Sequence, residues 1–138
     1  MWEQRDQYQA ELHAVATQHG CTEFAAFDVQ NGVDHAWLLC HVRAAEDADG
    51  TTPQAALSAF KDIIRRCVTA EKDGAIRIVE EPSPARCRYC LVTLARRADA
   101  IVAAAAFIVR CNDDLSAQRM LSDIQTGTQR FHDTPPTV

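Results

Sequence analysis

Residues 86–111 read RCRYCLVTLARRADAIVAAAAFIVRC, and the fold turns on how this stretch is read. Ala103, Ala104, Ala105 and Ala106 stand in a row, and alanine has the best helix propensity of any residue. The neighbours argue the other way. Ile101, Val102, Phe107, Ile108 and Val109 are β-branched or aromatic, and such side chains suit a pleated, half-buried surface. Residues 86–97 are also strand-like, and Ala98-Asp99-Ala100 is a connection of hairpin length. Two long antiparallel strands, 86–97 and 101–111, are therefore expected. The small side chains of the second would let a helix or another backbone approach the middle of the sheet closely.

Upstream, residues 75–80 (AIRIVE) make a short strand. It stops before Pro82 and Pro84, which remove ladder donors. Before it lies the clearest helix. Thr52 can cap it, and Pro53 suits the first helical position because its missing N–H costs nothing there. Ala56, Leu57, Phe60, Ile63, Ile64, Cys67 and Val68 recur at helical spacing. Lys61, Asp62, Arg65 and Arg66 take the other face, and Gly74 is expected to close the helix.

Asn31-Gly32 sits between two apolar runs, a strong short-hairpin signal. The first run, 22–29, alternates Phe24, Ala26 and Asp28 with Ala25, Phe27 and Val29. The second, 35–42 (HAWLLCHV), is nearly all apolar, so cover on both faces is expected. Residues 46–50 read as a solvated loop. The first helix carries Tyr8, Leu12, Val15, Ala16 and His19 at helical spacing and stops at Gly20. The last begins at the capping group Asn112-Asp113-Asp114, presents Leu115, Met120, Leu121 and Ile124, and ends near Gly127. The order is α-β-β-α-β-β-β-α. It predicts an α+β domain over 1–127, with three helices and about five antiparallel strands. Residues 128–138, with Pro135-Pro136, read as a flexible C-terminal tail or linker stub.

Composition limits the function classes. A chain of 138 residues suits one domain. Lys plus Arg is 14 and Asp plus Glu is 19, so the net charge is 14 − 19 = −5. An acidic chain without a basic cluster is a poor partner for nucleic acid, where phosphate contacts dominate affinity. The longest apolar run, around 101–109, is far below the ~20 residues that span a bilayer, so no direct membrane insertion is expected. The polar start, MWEQRD, lacks a signal-peptide core. Six cysteines, Cys21, Cys40, Cys67, Cys87, Cys90 and Cys111, could suggest a disulfide framework. That reading fits short chains without a core. This chain can bury one, so reduced structural thiols and a cytoplasmic setting are expected.

Beyond these readings, the element order resembles the profilin-like group of sensor and adaptor domains, the GAF and roadblock families above all. The resemblance is topological and spans about residues 3–127. Its roadblock-like part is LHAVATQHGCTEFAAFDVQNG, residues 12–32, a helix leading through Gly20 into a strand that ends at Asn31-Gly32. The chain departs from GAF domains in having only residues 80–86 between its middle strands, and it lacks the Asn-Lys…Phe…Asp-Glu signature of cyclic-nucleotide GAF domains. In these families the terminal helices often pair across a dimer. The resemblance thus implies a dimer or partner face drawn from Tyr8, Leu12, Val15, Leu121 and Ile124, shared with the core. A narrower stretch, AIVAAAAFIVRCNDDLSAQRMLSDIQ (100–125), resembles a soluble segment of bacterial membrane-fusion (efflux adaptor) proteins. That likeness implies a cytoplasmic or sensory appendage of a transport assembly.

Residue chemistry points away from catalysis. Cys87-x-x-Cys90 is the weak candidate for a redox or metal site. Residues three apart in a strand point to opposite faces, and a zinc site would need two further ligands. His13, His19, His35, His41 and His132 are scattered, and His41 reads as a satisfied interior histidine. Glu80-Glu81 reads as solvated charge and Asp113-Asp114 as a cap. Arg86, Arg88, Arg96 and Arg97 form a modest basic rim, which commonly protects a sheet edge. No catalytic residue and no cofactor are implied. The leading expectation is a non-catalytic module that works as a homodimer or with a protein partner. The alternatives are a small-ligand sensor with an apolar pocket and a redox or metal-responsive domain using Cys87 and Cys90.

Overall fold

The computed structural model describes residues 5–43, 53–78, 87–97, 100–128 and 131. The elements follow the expected order: α1 (Arg5–Gln18), β1 (Glu23–Asp28), β2 (Trp37–Arg43), α2 (Pro53–Ala70), β3 (Gly74–Ile78), β4 (Cys87–Arg97), β5 (Ala100–Cys111) and α3 (Asp114–Gly127). The five strands form one antiparallel sheet in the order β2-β1-β5-β4-β3. The alanine run is strand, at the centre of the sheet. Ala103 to Ala106 pair with Asp28 to Ala25 of β1 on one side, and with Ala95 to Val92 of β4 on the other.

Two cores lie on the two faces, and strand alternation sorts residues between them. Phe24, Ala26, Ala103, Ala105 and Phe107 join Tyr8, Leu12 and Val15 of α1 and Ala117, Leu121 and Ile124 of α3. Ala25, Phe27, Ala104, Ala106 and Ile108 join Phe60, Ile64 and Cys67 of α2. This is the alternation expected for residues 22–29. Alanine on both faces of β5 keeps the sheet thin where the helices cross it. Glycine does the same between helices: a Cβ on Gly127 would lie 2.9 Å from Cγ2 of Val15.

Helix ends show where expectations held and failed. Gly20 stops α1 in a left-handed conformation, φ 64°. Its N–H bonds to the Thr17 carbonyl, and the Cys21 N–H to that of Ala16, at 3.3 and 2.9 Å. That pattern satisfies carbonyls orphaned at the helix end. Gly74 was expected to stop α2, but it opens β3. The stop is Glu71, at φ 54°, with the same two bonds: Glu71 N–H to Val68 and Lys72 N–H to Cys67, at 3.1 and 3.0 Å. The expected cap Thr52 and the expected prolines 82 and 84 lie outside the described residues, as does the loop 46–50. Asp113 caps α3 by accepting from the Ser116 N–H at 2.8 Å. The Tyr89 hydroxyl donates to Asp114 Oδ1 at 2.5 Å, fixing this helix start to β4. Leu115, expected on the buried face of α3, is 60% exposed, and Ala117 takes that role.

Asn31-Gly32 does not make a two-residue hairpin. Such a turn needs positive φ at both central residues, and Asn31 is not among the described positive-φ positions. Val29 to Ala36 instead form the connection, with a 3₁₀ turn at Val33–His35. The tail expected from residue 128 does not begin there. Thr128 is fully buried and donates to the Ile124 carbonyl at 2.9 Å. Phe131 is 1% exposed, edge-on to Tyr8 with ring centroids 5.1 Å apart. Its ring closes the core between α1 and α3.

Candidate functional site

The residues expected to form a dimer or partner face are core residues. Tyr8, Leu12, Val15, Leu121 and Ile124 are all buried within the one chain, packed with each other's helices and the sheet. They offer no surface to a second copy. Helical periodicity marked them as apolar, but it cannot tell a stripe that faces the chain's own sheet from one that faces a partner. Tyr8 is held hardest. Burial pushes its phenol well above the usual range, and the Cys40 thiol and Asp73 carboxylate add to the rise.

The cysteines are distributed rather than gathered. Cys90 is buried on the α2 side, beside Cys67. Position 87 lies opposite Cys111 in the β4–β5 register, and the side chain of Cys87 lies outside the described residues. Cys21, Cys40 and Cys111 belong to the α1/α3 side. Cys21, Cys40, Cys67, Cys90 and Cys111 are free thiols. Burial pushes the Cys21 thiol up to about 12, with Cys111 adding to the rise. Burial raises Cys40, Cys67 and Cys90 too. A thiol held protonated is a poor nucleophile and a poor metal ligand. Among the described residues, no three His, Cys, Asp or Glu side chains lie close enough to hold a metal ion. No helix among them is long and apolar enough to cross a membrane.

The expectation for β2 was also overturned, and with more consequence. The apolar run was expected to be covered on both faces. Instead β2 is the edge of the sheet, and among the described residues it pairs with β1 alone. Trp37 is 68% exposed, Leu38 47% and Val42 39%. An uninterrupted apolar strand usually means central burial; here the cover stops short of the edge. The register places Trp37 opposite Asp28, Cys40 opposite Ala26 and Val42 opposite Phe24. These face the α1/α3 side. Leu38 and His41, opposite Phe27 and Ala25, face the α2 side. The pairing slips by one residue between Ala26 and Phe27, which bends the strand at Leu39.

The far end of β2 carries a largely buried polar cluster. Glu23 of β1 pairs with Arg43 in register. Its Oε2 lies 2.5 Å from His41 Nε2 and 3.1 Å from Arg43 Nε. Two basic side chains thus meet at one carboxylate oxygen. The His41 ring also stands edge-on to Phe60 of α2, centroids 6.1 Å apart. His41 is the satisfied interior histidine the sequence suggested. At the near end, Arg65 of α2 reaches Asp34 in the 3₁₀ turn at 2.8 Å. Both partners of that pair are largely exposed, so it contributes little stability. The edge strand thus has the polar cluster at one end and the 3₁₀ turn before the other.

No family model matches the sequence, and no curated protein matches it. The structure is similar to that of the gliding protein MglB from Thermus thermophilus. The TM-score is 0.50 at 11% sequence identity, over 96% of this chain and 93% of that one. The fold is roadblock-like. At that identity the likeness concerns the path of the backbone, and it spans nearly every roadblock-like element described above.

Proposed function

We propose that the chain is a non-catalytic, roadblock-like adaptor that works by self-association and partner binding. The observation that carries this reading is the edge of β2, which among the described residues pairs with β1 alone and leaves Trp37 and Val42 exposed on one face and Leu38 on the other. Monomers rarely leave apolar patches uncovered, and rimmed patches commonly mark protein contacts. An open strand edge also carries backbone groups ready to pair with another chain. The fold likeness to a gliding protein supports the same class. Free thiols in a well-formed core suit a reducing, cytoplasmic setting.

The contact face in this reading is β2. The five residues of α1 and α3 named from the sequence act from inside, holding the helices against the sheet. The test is native mass spectrometry of the reduced chain over a concentration series, alone and after co-expression with its neighbouring gene products. Dimers, or a stoichiometric protein complex, are expected. A monomer at every concentration that retains an organic mass would overturn the adaptor reading in favour of a ligand sensor. A gain of about 65 Da, one zinc ion, would overturn it in favour of a metal-responsive domain.

A further inference from the structure

We draw no further inference here: the strongest candidate, the apolar edge of β2 where Trp37, Leu38 and Val42 are exposed, belongs to the contact face already described, and nothing in the structure shows what covers it.

Discussion

Glu71 occupies a backbone region that residues other than glycine rarely enter. Its φ of 54° closes α2 with the hydrogen-bond pattern that Gly20 uses to close α1. The left-handed conformation costs an L-residue about 1–2 kcal/mol, and glycine's greater unfolded freedom returns part of that. Glu71→Gly should therefore stabilise the chain by about 0.5–1 kcal/mol, read as a raised urea midpoint at unchanged m-value. An unchanged or lowered midpoint would mean that the glutamate side chain contributes more than the strain costs. The thiols give a second test at this scale. Cys21 is pushed up to about 12 by burial, against about 8.5 for a free thiol. Below the unfolded value both states hold the proton and stability is unaffected. Above it the unfolded chain loses the proton first, so stability should fall as pH rises from about 8.5 toward the folded value. Iodoacetamide at pH 8 should label Cys21, Cys67, Cys90 and Cys111 slowly in the native chain and fast in guanidinium, as peptide mapping would show. Rapid native labelling of Cys90 would contradict its burial.

Among the elements, legibility followed how much of each signal was local. β1 was readable face by face, because alternation is a property of consecutive residues and both faces proved to be cores. The Asp113 cap was readable for the same reason. The closing of α2 was not, because the left-handed residue that ends it is Glu71, and nothing in a glutamate's identity marks that conformation. β2 failed for a different reason. Its apolar run is the same whether the strand is central or at an edge, and only the β2-β1-β5-β4-β3 order separates the two. The α1 and α3 stripes were correctly apolar, but what they face depends on Gly127. That glycine lets α3 come within van der Waals reach of Val15. Gly127→Ala forces the helices apart and should cost about 1–3 kcal/mol. Val15→Ala in the same background should recover part of the loss. Additive losses in a double-mutant cycle would place the strain elsewhere.

At the scale of the whole molecule, the folded unit extends past the boundary that composition suggested. A threonine- and proline-rich end looked like a tail, yet Phe131 fills the space beside Tyr8. Phe131→Ala should cost about 3–5 kcal/mol, and ending the chain at residue 127 should cost at least as much. Thermal denaturation of both forms checks this. A truncated chain as stable as the full one would show the aromatic contact to be dispensable. The candidate site was legible only in part. His41 was recognised as satisfied, but Trp37, Leu38 and Val42 were assigned to the interior. Their exposure comes from the order of the strands, and the order is set by pairings between residues far apart in sequence.

The central strand has a consequence for how this protein can vary. Every residue from Ala103 to Ala106 is completely enclosed, yet neighbours in sequence belong to opposite halves of the molecule. Added bulk at 104 or 106 presses on α2 and leaves the other layer alone. At 103 or 105 it presses on α1 and α3. A single methyl group moved one position along β5 thus chooses which layer yields, so the two halves can drift independently in sequence while sharing one wall.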